Sequence, residues 1–228
     1  MGSSSRALRS QREDSTPISA AHYDGRTGMS NLQPCGRIQR RSPHSFTPHF
    51  VGKLQNKPMN SEECFDVVDK DDCVVGQLTR SEVHRRGLRH RAVHVFLFRQ
   101  DGCMLIHKRS ETKEEFPSVW TSSCSGHVSS GEDYDETAPR ELLEELGITA
   151  PVERLHKFAA CDDTSQEFTV LYRSFSDTAV RPDPVEITEI RWLSIAAVRD
   201  WILQSPEDFS PAFRLLFGWF RQTQAISE

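Results

Sequence analysis

Between residues 126 and 148 the chain reads GHVSSGEDYDETAPRELLEELGI, and no other stretch limits its fold as tightly. Glu141, Glu144 and Glu145 stand at i, i+3 and i+4, so a helix through them stacks three carboxylates along one side. Such a stack repels itself by roughly a few tenths of a kcal/mol per pair, and a counter-charge is needed to hold it together. An all-oxygen cluster suits a hard divalent cation, Mg2+ or Mn2+, better than zinc. Leu142, Leu143 and Leu146 fall on the other side and are expected to pack into a core. Gly147 is placed to end the helix in a left-handed conformation, and Asp135 or Thr137 is expected to open it because Pro139 belongs in a first turn. Residues 125–131, just before, are rich in Gly and Ser and can bring backbone close to phosphate. Taken alone, ELLEEL also describes an ordinary amphipathic helix with a solvated acidic face.

Register separates the two readings. Gly126, Glu132, Arg140, Glu141, Leu142, Glu144, Glu145, Gly147 and Ile148 fit, without a substitution, the pattern Gly, five residues, Glu, seven residues, Arg-Glu-apolar-x-Glu-Glu-x-Gly-apolar. This is the Nudix box, and the chain resembles the Nudix hydrolase superfamily. The resemblance implies an α/β fold, a Nudix-type α/β/α sandwich with a mixed β-sheet that carries the box loop and helix. It implies Mg2+ or Mn2+ held by Glu141, Glu144 and Glu145, with Glu141, Arg140 and Glu144 as the catalytic residues. Gly126, His127 and Arg109 are expected to bind substrate, with Lys108 as a further local base. Glu132 and Gly147 are expected to support the box, since a fixed Arg140 guanidinium can orient Glu141 and pair with Glu132. A second carboxylate to remove a proton from water is sought among Asp162, Asp163, Glu167 and Glu189.

A second set of residues narrows the resemblance. Glu82-Val83-His84, His90-Arg91-Ala92-Val93-His94, Phe116-Pro117-Ser118-Val119-Trp120-Thr121 and Ser125-Gly126-His127 look like the isopentenyl-diphosphate isomerase-like branch, over about residues 63–204. In the isomerases a cysteine immediately before the Gly-His pair and a glutamate of the box helix move protons, and histidines with glutamates hold a metal. Here Ser125 takes that place and the nearest thiol, Cys124, is displaced by one residue. A serine hydroxyl does not stand in for a thiol that ionises within reach of neutral pH. His84, His90 and His127 match the isomerase metal histidines in order and approximate spacing, so they form a candidate second metal site. The plainer alternative puts His90 and His94 at a strand entry and leaves His127 to orient the box loop. Cys124 is likewise either a nucleophile or a small core residue. Trp120 and Trp192 read as core or pocket-wall aromatics.

Around the box, short β patterns recur. Phe65 to Val68 and Cys73 to Gly76 suggest a hairpin turned by Asp69-Lys70-Asp71-Asp72. Val93 to Phe98 and Cys103 to Lys108 suggest another, turned by Arg99-Gln100-Asp101-Gly102, because Asp-Gly favours positive φ. Phe168 to Phe175 and Ile187 to Leu193 read as strands, and Ile195 to Leu203 and Pro211 to Phe220 as helices.

The 228 residues, 36% apolar, suffice for a substantial core, and no apolar run approaches the length of a membrane span. Cys35, Cys64, Cys73, Cys103, Cys124 and Cys161 form no CxxC pair, so reduced thiols and a cytoplasmic location are expected. Residues 1–58 hold nine Lys/Arg against three Asp/Glu, a formal +6, which leaves −11 of the chain's net −5 on the remainder. Poor in aliphatics, they are expected to be a disordered basic extension ahead of a Nudix domain at 59–228; a frame that truly starts at Met59 is the alternative. The expected activity is divalent-metal-dependent cleavage of a diphosphate linkage in a nucleoside-diphosphate-X or related organic pyrophosphate. Its rivals are isomerisation of isopentenyl diphosphate and a catalytically idle nucleotide-binding role. A small-molecule diphosphate is the expected partner, with homodimerisation allowed, no membrane expected and nucleic acid disfavoured.

Overall fold

The computed structural model describes residues 62–225, so the expected extension at 1–58 lies outside the described residues. Two strands open the fold, β1 (Cys64–Val68) and β2 (Val74–Thr79), paired antiparallel as the hairpin pattern predicts. Asp69 shapes the turn, its Oδ1 accepting from the backbone N–H of Asp71 and of Cys73 at 2.9 Å each. Helix α1 (Arg80–Arg86) follows, and then β3 (His90–Phe98) and β4 (Met104–Arg109). Two very short strands, β5 (Trp120–Thr121) and β6 (Cys124–His127), lead into the box helix α2 (Tyr134–Leu146). Strands β7 (Val152–Phe158), β8 (Glu167–Phe175) and β9 (Ile187–Leu193) and helices α3 (Ile195–Gln204) and α4 (Pro211–Ala225) complete it.

Seven of the strands form one mixed sheet, ordered β5-β4-β3-β8-β7, with β6 also on β3 and β9 on β4. The hairpin expected of β3 and β4 survives only at its closed end, where Phe98 faces Met104 and Gly102 takes φ 82°. Beyond that pair the strands part. Strand β3 runs parallel to β8 from His90↔Glu167 to Phe98↔Phe175 and takes β6 on its other side, while β4 pairs with β9 and β5. Strand β6 enters where the hairpin partner was expected, and no local pattern announces it.

The period of two along β3 gives each face its own core. Val93, Val95 and Leu97 pack with Ala138, Leu142 and Leu146 of α2, together with Val170 and Tyr172 of β8. Phe96 and Phe98 face the other way, onto Val198 of α3 and Phe213, Leu216, Phe217 and Phe220 of α4. Helices therefore cover both faces of the sheet, the α/β/α sandwich that the box resemblance implied. One expected core residue is not there: Leu143 is 53% exposed, because the buried stripe of α2 runs through 138, 142 and 146. The helix also starts earlier than expected, at Tyr134. Asp133 caps it by accepting from the Glu136 N–H at 2.9 Å, so Pro139 sits in the second turn and the helix forgoes one backbone bond there.

The β1–β2 turn is clamped to the rest of the fold by Asp72, whose φ of 61° is one that aspartate tolerates better than most residues. Its Oδ1 accepts from Arg91 Nε at 2.7 Å, and its Oδ2 accepts from Tyr134 Oη at 3.0 Å and from Lys157 Nζ. With the carboxylate only 6% exposed, Asp72→Ala leaves these donors unpaired and is expected to cost about 2–3 kcal/mol. Thermal unfolding should shift down by roughly 5–10 °C, and an unchanged melting temperature would show that the clamp carries no stability.

Candidate active site

The end of β6 with the loop after it, the polar side of α2, and the entry of β3 and β8 all border one cleft of about 740 Å³. Glu141, Glu144 and Glu145 all line it, but not equally. Glu141 is 8% exposed and Glu145 6%, whereas Glu144 reaches into solvent. Gly126 explains how Glu141 fits. A Cβ there would lie 2.1 Å from the Glu141 Cδ, so only glycine lets β6 pass so close to that carboxylate.

Arg140 organises the cluster. Its Nε and Nη2 donate to Glu132 Oε1 and Oε2 at 2.8 and 2.9 Å, its Nη1 to Glu141 Oε1 at 2.6 Å and Glu144 Oε2 at 2.9 Å, and its Nη2 also to the His127 carbonyl at 3.2 Å. One guanidinium thus ties three carboxylates to the loop ahead of the helix, and Gly147 ends that helix in the left-handed region with φ 66°. It does not satisfy Glu145, whose Oε2 is buried without a hydrogen-bond partner. Burial pushes the Glu141 carboxyl up to about 7 against the pull of Arg140, and the nearby Glu144 adds to the rise. Burial and then the charge of Glu141 raise Glu145 as well. Two buried carboxylates side by side, one with an orphan oxygen, are short of positive charge. That shortage and the all-oxygen donor set fit Mg2+ or Mn2+.

A second cluster touches the same cleft. The ring nitrogens of His84, His90 and His127 come within 4.8 Å of one another, and Phe65 stacks on His127 with centroids 4.5 Å apart. Glu167 Oε1 lies 3.1 Å from His127 Nε2 and 3.6 Å from His90 Nε2. Burial opposes the charge on Glu167, but the hydrogen bond with His127 and the close approach of the His90 ring outweigh it and hold the carboxyl well below the usual range. Both ring nitrogens of His84 and Nε2 of His90 are buried without a hydrogen-bond partner, and burial, with His127 and His90 nearby, lowers His84 to about 4.

The remaining candidates divide. Glu167 lines the cleft, whereas Asp162, Asp163, Glu189 and Lys108 do not. Glu189 instead pairs with Arg191 on the exposed part of β9. Arg109 reaches the cleft, yet its Nε and Nη2 are taken up by the Glu115 and Phe116 carbonyls, so it shapes the β4–β5 loop as much as it offers charge. Trp120 is core, and Trp192 packs at the edge of the other core under Arg99. Cys124 is fully buried in the α2 core, and burial followed by the charges of Glu145 and Glu141 drives its thiol pKa well up. Ser125, not that thiol, lines the cleft. Two cations escaped the sequence reading: Arg80, at the start of α1, and Lys113, ion-paired with Glu186. Each is a lone basic residue with no motif around it, and only the fold brings them to the carboxylates.

A family model described as NUDIX domain matches residues 88–213. An isopentenyl-diphosphate Delta-isomerase of Serratia proteamaculans is 32% identical over 157 residues, covering 67% of this chain and 88% of that protein. An uncharacterized Nudix hydrolase of Streptomyces coelicolor is 36% identical over 136 residues, 58% of this chain and 74% of that one. The crystal structure of a Deinococcus radiodurans protein superposes with a TM-score of 0.57 at 32% identity, over 62% of this chain and 90% of that one.

Proposed function

The chain belongs to the NUDIX domain family, and from that premise we propose that it cleaves a diphosphate linkage in an organic diphosphate with the help of a divalent cation. One observation carries the reading: Glu141 and Glu145 lie buried together on the cleft wall, short of positive charge, with Glu145 Oε2 unpartnered. Glu141, Glu144 and Glu145 would hold Mg2+ or Mn2+, which when bound neutralises charge on a diphosphate and makes water more acidic. Arg140 holds Glu141 in place, and Glu141 takes the proton from the attacking water. Arg80 and Lys113, with what remains of Arg109, line the same cleft and would offset the charge of a bound diphosphate and of the acidic domain.

The names of several relatives make isomerisation of isopentenyl diphosphate the rival reading. Against it stand Cys124, turned into the core with its thiol protonated, and Ser125 in the cleft in its place. The test is a set of nucleoside-diphosphate sugars, dinucleoside polyphosphates, coenzyme A, NADH and ADP-ribose, scored by product mass and phosphate release. At least one should be cleaved between its phosphates, and only when Mg2+ or Mn2+ is present. Cleavage that persists in excess chelator would remove the cation from the scheme.

His84, His90, His127 and Glu167 are also proposed to seat a second cation, since imidazoles with orphan nitrogens beside a carboxylate suit a transition metal. Elemental analysis checks this: the purified protein should carry such a metal near one equivalent and His90→Ala should lose it. Equal metal content in both would leave the histidines a packing role.

A further inference from the structure

Besides the carboxylates, the cleft is lined by groups of different chemistry. On β3 the face that is core at Phe96 and Phe98 continues through His94 and Ala92, and there it lines the cleft. His94 is 5% exposed, with Nδ1 2.7 Å from Ser122 Oγ, and that hydroxyl donates to the Cys124 carbonyl at 3.2 Å. With the serine hydrogen so used, Nδ1–H donates to Ser122 and the lone pair sits on Nε2. Burial holds the His94 pKa down at about 4, so the ring is neutral near pH 7 and offers a hydrogen bond without charge. The lining also holds the hydroxyls of Thr121 and Ser210, 3.0 Å apart. Among the described residues no Val, Leu, Ile or Met lines the cleft, whose apolar side chains are Phe116 and the small Ala92 and Ala212, so an aliphatic chain would find little side-chain surface to bury against.

The one large apolar side chain is Phe116, and its backbone is strained. Its φ of 47° is rare for a bulky residue, and Pro117 follows it. Arg109 holds it there by donating to the Glu115 and Phe116 carbonyls at 2.9–3.2 Å. Strain maintained in this way at a cleft points to a ring positioned for contact.

We propose that His94 is a specificity-determining residue: its neutral imidazole hydrogen-bonds the organic group esterified to the diphosphate, while Phe116 stacks on that group's ring. The cleft then selects a polar, ring-bearing group of the nucleoside type and rejects an aliphatic one. This rests on the diphosphate reading above.

Calorimetric titration with Mg2+ present, using methylenediphosphonate and its adenosyl, cytidyl and isopentenyl esters, separates the two. The parent should bind at least one nucleoside ester about tenfold or more tighter than the bare diphosphonate, a gain of roughly 1.4 kcal/mol. The isopentenyl ester should gain nothing. His94→Leu should erase most of the nucleoside gain while leaving the bare ligand within about twofold, and His94→Gln, which can still hydrogen-bond, should restore it. A nucleoside gain that survives His94→Leu, a loss shared equally by the bare ligand, or a gain for the isopentenyl ester overturns the proposal. If neither the bare diphosphonate nor any ester binds, the diphosphate reading itself falls and takes this inference with it.

Discussion

Glu145→Gln is expected to abolish turnover while leaving the fold at least as stable as the parent. The amide keeps the side-chain shape and can still accept from the Ser125 backbone N–H, but it removes charge from the proposed cation seat. Turnover should fall by roughly a hundredfold or more, the scale on which one positioned catalytic group acts. Stability should move the other way. The parent buries a carboxylate whose Oε2 has no partner, and a neutral amide is cheaper to keep out of water. In the presence of a chelator the variant should therefore melt at or above the parent. Saturating Mg2+ should raise the parent's melting temperature and not the variant's, because only a state that binds the ion is stabilised by it. Full activity with a parent-like response to Mg2+ would take Glu145 out of the site.

Arg140→Ala should damage the fold itself, and Arg140→Lys should not repair it. The guanidinium serves Glu132, Glu141, Glu144 and the His127 carbonyl at once, through a fork that a lysine ammonium does not have. Removing it leaves Glu132 and the already destabilised Glu141 without their counter-charge. Breaking a partly buried network of this kind is expected to cost about 3 kcal/mol, lowering the melting temperature by roughly 6–12 °C, with activity lost alongside. Lysine should recover less than half of that. A lysine variant matching the parent in both respects would mean that the charge alone mattered, and not the geometry.

How much of this was legible in the chain depends on the distance over which each element is decided. The box helix, its Gly147 cap and the Arg140–Glu132 pairing follow from local spacing, and the structure places them together. Strands β8 and β9 and both C-terminal helices were visible in their periodicity. Strands β5 and β6, at two and four residues, are too short to show a period, and the exposed, charged strand β7 has no alternation to read. Helix α1 did leave a signal: Thr79 and Glu82 have capping-box spacing, and the Glu82 N–H donates to Thr79 Oγ1 at 3.4 Å. The β3–β4 hairpin was read too simply, because Asp-Gly fixes a turn and not the partners of the strands that leave it. At the site, Gly126 and the carboxylates were readable from the pattern. Arg80 and Lys113 were not, and Phe116 stood in the resemblance without a role, since what gathers them is the packing of loops on the sheet.

The central claim, that this cleft splits a diphosphate and does not shift a double bond, is tested most directly by offering it isopentenyl diphosphate with Mg2+ and resolving the products. The account predicts no dimethylallyl diphosphate, and a Cys124→Ala variant that cleaves its accepted organic diphosphates about as well as the parent, because the thiol lies in the core and does not line the cleft. Dimethylallyl diphosphate appearing in the parent and vanishing in Cys124→Ala would contradict it, and would move the chemistry from the box carboxylates to the thiol.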